Sequence, residues 1–225
     1  MKKFFKCIVY NCDKLLYNLV TIVNIGGSMS KYDQMIEMLE KNNGYLFTSE
    51  VEKAGISRTY MARFIKDNNL EKASRGIYIT EDTWTDQLYI LQIQNPKIIF
   101  SGETALYLNQ MIDREYSEIC VSVPSGHNGF RLRDKGIIVH QENPNVFGMG
   151  ICEAETNFGN KVRTYNKERC FCDTVKNRSA YEVQTFQTAL KSYMRDKGKD
   201  LSTLMKYAEV LKIRNEVMKY VEVML

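Results

Sequence analysis

Through residues 48–67 the apolar positions follow a helical spacing twice, and they then shorten into two strand-length runs ending at Ile79. Val51 and Ala54 mark a first short helix, with Ser49 and Glu52 spaced as a capping box at its start. Gly55 ends it, where a tight turn calls for positive φ, and Ile56 follows. Ser57 is placed to cap a second helix. Stepping about 100° per residue around that helix, Arg58, Thr59, Ala62, Arg63 and Lys66 share one arc. Tyr60, Met61, Phe64 and Ile65 share the other, with Tyr60 at its edge. Residues 70–73 and 76–79 can pair as a hairpin around Ser74-Arg75-Gly76, which puts Lys72 and Arg75 on it. Upstream, Tyr32, Met35, Ile36 and Leu39 have core spacing behind a Ser30…Asp33 cap. Asn43-Gly44 ends that helix, and residues 45–47 can add a third strand to the hairpin.

Three helices followed by a basic hairpin predict a winged helix-turn-helix. A solvated amphipathic helix shares part of this pattern. The complete order points to double-stranded DNA, faced by Ser57, Arg58, Thr59, Ala62, Arg63, Lys66, Lys72 and Arg75.

A polar break at residues 80–83, just before the single tryptophan Trp84, sets a domain boundary. The expected organisation is an extension over 1–29, a DNA-binding domain over 30–82 and a second domain over 83–225. In the second domain a helix over 86–93 stops at Asn95-Pro96, and a strand covers 97–100. Ser101-Gly102-Glu103-Thr104 opens a helix carrying Ala105, Leu106, Leu108 and Met111. Strands follow over 119–123 and 136–140, then an antiparallel pair over 150–155 and 161–165. Helices cover 168–177, 181–196 and 200–225, the last broken near Ile213. The fold class is therefore α+β (α/β): a winged helix-turn-helix, then a mixed α/β domain ending in helices.

The first 28 residues place lysines before apolar residues, but Lys6, Asp13 and Lys14 interrupt any apolar core and no small-x-small cleavage site follows. No run reaches the roughly 18 apolar residues of a membrane span, so no membrane partner is expected. Gly26-Gly27 precedes Met29 at a distance where two glycine codons can spell a ribosome-binding sequence. Met29 is therefore expected to be the natural start, with residues 1–29 a non-native or flexible extension.

A net charge of +4 over 225 residues decides little, but its distribution says more. Residues 80–159 carry 5 basic against 11 acidic side chains, and residues 160–225 carry 14 against 8. The basic C-terminal third, with Lys161, Arg163, Arg169, Lys176, Arg178, Lys191, Arg195, Lys197 and Lys199, suggests a second surface for a nucleic acid, a nucleotide or an acidic protein. Solvated helix faces would look the same residue by residue. Six cysteines at 7, 12, 120, 152, 170 and 172 contain no CxxC pair, and with two histidines they frame no zinc site. Reduced thiols in a cytoplasmic protein are expected, with no metal and no cofactor. Neither a Gly-x-Ser-x-Gly elbow nor a phosphate-binding loop is present. The one nuclease-like set is Glu153 and Glu155 opposite Lys161 or Arg163, which equally suits the solvated face of a hairpin. His127 and His140 read as loop and strand residues, and no enzyme is expected.

Taken in order, these features resemble the AbiEi family, antitoxins of type IV toxin–antitoxin (abortive-infection) systems. The resemblance covers residues 31–225. It rests on Ser57, Arg58 and Arg63, on Arg75-Gly76-Ile77-Tyr78, on Phe100-Ser101-Gly102-Glu103-Thr104-Ala105-Leu106, and on Tyr165, Glu168-Arg169 and Asp173. It implies an autorepressor that binds inverted repeats in its own promoter, as a monomer in solution or assembling cooperatively on DNA. It also implies a C-terminal domain needed to neutralise a cognate nucleotidyltransferase toxin in phage defence, without a stable complex. Two alternatives stay open: a ligand-responsive winged-helix regulator with no toxin, and a DNA-targeted nuclease using Glu153 and Glu155.

Overall fold

The computed structural model describes residues 29–224. The readings of residues 1–28, Cys7 and Cys12 among them, lie outside the described residues. The chain divides into two compact units between Thr83 and Trp84.

In the first unit, α1 (Lys31–Lys41) starts at Ser30, whose Oγ accepts from the Asp33 amide at 3.2 Å. Asn43 and Gly44, both at positive φ, turn the chain into β1 (Tyr45–Phe47). Then come α2 (Thr48–Lys53), a turn with Gly55 at φ +72°, and α3 (Arg58–Asp67), capped by Ser57 through the Tyr60 amide at 3.3 Å. A hairpin of β2 (Glu71–Ser74) and β3 (Ile77–Ile79) follows, with β1 added antiparallel to β3, so the sheet order is β1-β3-β2. Met61 and Phe64 turn the apolar side of α3 into a core with Met35, Leu39, Leu46, Val51, Ile56 and Leu70. Burying side chains of this size contributes roughly 1.5–3 kcal/mol each. The Tyr32 ring meets Phe64 edge-on at 4.8 Å, and its hydroxyl donates to Asn68 Oδ1 at 3.0 Å, fixing α1 across the end of α3.

Two local expectations fail. Ser49 does not cap α2: the helix starts two residues earlier than such a cap requires, straight off β1, with Phe47 in the cap position and no side-chain cap bond. The Thr48 amide donates instead to Gly76 O at 2.9 Å, so the hairpin tip does the work of a cap. Ala54 is exposed, and Ile56 occupies the core beside Val51.

The second unit is built on a five-stranded mixed sheet. Its elements run α4 (Gln87–Gln94), β4 (Ile99–Phe100), α5 (Gly102–Leu108), β5 (Cys120–Pro124), α6 (Phe130–Arg133), β6 (Ile138–Glu142), α7 (Pro144–Phe147), β7 (Ile151–Glu155) and β8 (Lys161–Tyr165). Helices α8 (Lys167–Lys176), α9 (Val183–Arg195), α10 (Leu201–Val210) and α11 (Arg214–Met224) complete it. The strand order is β6-β5-β4-β8-β7, with β5–β6 and β4–β8 parallel and the other neighbours antiparallel. Successive residues of β4 face opposite sides. Ile99 joins the core of α5 and the C-terminal helices, with Leu106, Phe171, Leu190, Leu204 and Val217. Ile98 and Phe100 join the other core, with Leu91, Val121, Val123, Leu132 and Val162. The α+β class follows from these two layers.

The last helical stretch breaks at Lys212, which has φ +59°, and Ile213 N closes the turn on Ala208 O at 2.8 Å. Buried Asp86 caps α4 through the Tyr89 amide and accepts from Thr156 Oγ1 at 2.5 Å and Asn160 Nδ2 at 2.9 Å, pinning the β7–β8 turn. Among the described residues no helix is long and apolar enough to cross a membrane.

Candidate functional site

Because Met61 and Phe64 are sequestered, α3 presents its other side outward. Arg58, Thr59, Ala62, Arg63 and Lys66 are all exposed. Arg58 is ion-paired with Glu52 and Arg63 Nε lies 3.6 Å from Asp67, with the two arginine side chains 81% and 82% exposed. Ion pairs this exposed are worth about 0–1 kcal/mol, so either arginine can leave its carboxylate for an anionic partner at little cost. Lys72 on β2 and Arg75 at the hairpin tip are exposed too. Ser57 is committed to its cap, and Tyr60 stands half-exposed beside it. One unit therefore carries all eight residues, six of them on or capping α3 and two on the hairpin.

Not all of the basic residues of the C-terminal third face solvent. Arg169 is fully buried, which removes it from any docking face. Arg163 is half-buried and held by the carbonyls of Pro96 and Ile98, and Arg178 stacks 4.2 Å over Phe186 and donates to Tyr181 O at 3.2 Å. Lys161 faces Glu153 at 3.9 Å. Lys176, Lys191 and Arg195 are exposed, the last two bordering a shallow depression with Thr188 and Asp196. Glu153 and Glu155 project from β7 opposite Arg163 and Lys161, exposed to solvent. Among the described residues no group of three or more His, Cys, Asp and Glu is placed to hold a metal ion. His127 sits in the β5–α6 turn and His140 on β6 opposite Ser122. Cys120, Cys170 and Cys172 are buried free thiols; burial pushes Cys172 up to about 12 and Cys170 well above its ordinary value.

Arg169 instead organises the second unit from inside. Its Nε donates to both oxygens of Asp173, one helical turn on, at 2.9 Å. Its Nη1 donates to Val146 O at 2.6 Å and to Met149 O at 3.4 Å, and Nη2 lies 3.6 Å from Glu142. The guanidinium sits 4.6 Å over the Tyr165 ring, whose hydroxyl donates to Phe147 O at 3.0 Å. One side chain thus joins α8 to the ends of β6 and β8 and to α7. Gly150 lets the backbone come this close: at φ +78°, a Cβ there would stand 2.9 Å from Arg169 Cβ.

Burial pushes the Asp173 carboxyl up to about 6, against the pull of Arg169 and with a further push from Glu142. Between about pH 4 and 6 the folded state therefore holds more protons than the unfolded chain, whose Asp titrates near 3.9. The contribution of this group to stability accordingly grows as pH falls through 6 and is lost as pH rises. Urea unfolding at pH 7 and pH 4.5 is expected to show the wild type gaining stability relative to Asp173→Asn as pH falls. A wild-type-to-variant difference that is the same at both pH values would refute this assignment.

Beside this pair a cavity of about 700 Å³ opens among β4–α5, β5, β6 and the C-terminal end of α8. Ser101, Gly102 and Glu103 form one stretch of its wall, and Cys120, Ser122, His140, Glu142, Asp173 and Tyr181 are among the residues that line the rest. Ser101 is 4% exposed and occupies the cap position of α5, yet its hydroxyl neither caps the helix nor meets any other partner. A buried hydroxyl left unpaired costs about 1–3 kcal/mol. Gly102, at φ +54°, lines the same wall, where a Cβ would come within 3.0 Å of Cys120 Cβ. Sequence reasoning set Ser101, Glu103 and Asp173 inside motifs but did not join them, since the cavity draws its walls from residues 101–182.

No family model matches the chain, and no curated protein does. Among solved structures, it is similar to the RV2827C protein of Mycobacterium tuberculosis, with a TM-score of 0.48 and 10% identity. That similarity covers 87% of this chain and 82% of the other.

Proposed function

We propose that the protein is a DNA-binding autorepressor and antitoxin of the AbiEi kind, acting in the cytoplasm. Its first unit is read as a winged helix-turn-helix that takes up inverted repeats in its own promoter. The observation that carries this reading is the segregation of α3, with Met61 and Phe64 buried and Arg58, Thr59, Ala62, Arg63 and Lys66 exposed, next to a hairpin bearing Lys72 and Arg75. A helix of this kind fits the major groove, where arginine reads guanine edges. Hairpin cations suit phosphate or the minor groove. The antitoxin role, directed at a nucleotidyltransferase toxin without a stable complex, rests on the family resemblance. Of the cations expected to serve it, Lys161, Lys176, Lys191 and Arg195 stand exposed on the second unit.

Fluorescence anisotropy of the full chain on DNA from upstream of its own gene, beside scrambled DNA across a salt series, tests the first role. A preference of about a hundredfold or more at physiological salt is expected. Equal, salt-sensitive binding to both would reduce the basic face to an electrostatic patch. The cavity favours a second reading, a ligand-responsive regulator with no toxin. Co-expression with a nucleotidyltransferase toxin encoded next to its gene separates the two: the antitoxin reading expects rescue of growth, the regulator reading expects no such toxin.

A further inference from the structure

The cavity of the second unit has a charge that the proposed function does not use. Five carboxylates line it, from Glu103, Glu118, Glu142, Asp173 and Glu182, against a single lysine, Lys176. Arg169 lies behind the wall and offsets Asp173 and Glu142, and Arg114 reaches Glu182 at 3.3 Å on the rim. Glu103 and Glu118 have no ion-pair partner among the described residues. An anion would meet net repulsion here.

The second, independent feature is the Ser101 hydroxyl, buried in the same wall without a partner. Buried polar groups are ordinarily satisfied, and this one adjoins Glu103, two residues along on the same turn. At about 700 Å³ the space is large for one ion and falls within the range of small organic ligands, about 300–1,000 Å³. No cluster of metal-ligating side chains converges among the described residues.

We propose that this cavity binds a small organic cation rich in N–H donors, an amine or guanidinium compound, with Glu103 taking its charge and the Ser101 hydroxyl accepting one of its N–H groups. Gly102, between them in the chain, also lines the cavity, and a Cβ there would stand 3.0 Å from Cys120 Cβ. The proposal stands apart from the DNA-binding reading, because both residues belong to the second unit.

Isothermal titration of the full chain with agmatine and with spermidine, in chloride-matched buffer, tests it. Saturable one-to-one binding of at least one of them is expected, weakened about tenfold or more in Glu103→Gln and about threefold in Ser101→Ala. Glu103→Gln is an isosteric change on a half-exposed wall residue and is expected to leave the far-UV circular dichroism and the DNA affinity unchanged. No saturable binding of either compound at millimolar concentration would overturn the proposal. So would equal affinity in wild type and both variants, which would put the cation on the outer surface. Inorganic phosphate that binds and depends on the same two residues would overturn its sign.

Discussion

Truncating Arg169 to alanine is expected to cost about 3–5 kcal/mol of folding stability, the range for removing one member of a buried ion pair. The loss has two parts. Asp173 and Glu142 would keep their burial and lose the cation 2.9 Å and 3.6 Å away. The carbonyls of Val146 and Met149 would lose their donor, loosening α7 and the approach to β7. Replacing the pair together, as Arg169→Met with Asp173→Leu, is expected to recover the share of the loss due to Asp173 left buried without its cation, while Glu142 and the two carbonyls stay unpaired. Urea unfolding at pH 7 reads both variants. A loss below about 1 kcal/mol for the single variant would mean that water reaches the site and the guanidinium is dispensable.

That residue also marks where the sequence stops being readable. Arg169 belongs to a C-terminal third with 14 basic side chains, and little within the helix distinguishes it from Lys176. Its partners lie at residues 142, 146, 149 and 165, brought together only when β6 and β8 close the sheet. The one local sign was Asp173 at i+4, flanking buried Cys170, Phe171 and Cys172. Arg163 and Arg178 mislead for a related reason: their partners include backbone carbonyls and an aromatic face, and sequence does not reveal which carbonyl is nearby.

Features written in short spacings were legible. Ser30 and Ser57 cap as their positions require, Gly55 takes positive φ, and the period of α3 sorts its buried from its exposed residues. The Ser49–Glu52 box has the right spacing and still fails, because the chain leaves β1 directly into α2 and Gly76 supplies the acceptor. A long-range bond won over a local one there. The cavity was illegible for the same topological reason.

Of the two cations expected to act differently on DNA, Arg63 is the one with the larger consequence. Arg63→Ala is expected to weaken operator binding by about 1–3 kcal/mol, roughly 5- to 150-fold, while leaving affinity for scrambled DNA nearly unchanged. Its side chain is exposed on the middle of α3 and gives up only a 3.6 Å surface pairing with Asp67 to reach a base edge. Lys72 stands on the hairpin opposite Tyr78, and in the proposed complex its flexible ammonium would meet phosphate whatever the sequence. Lys72→Ala is therefore expected to lower both affinities alike and to flatten the salt dependence by about one unit of slope. Anisotropy on operator and scrambled duplexes at four salt concentrations distinguishes the two roles. If Arg63→Ala instead lowered both affinities equally, Arg63 would be a phosphate contact. Base readout would then pass to Arg58, whose pairing with Glu52 leaves it 81% exposed on the same face.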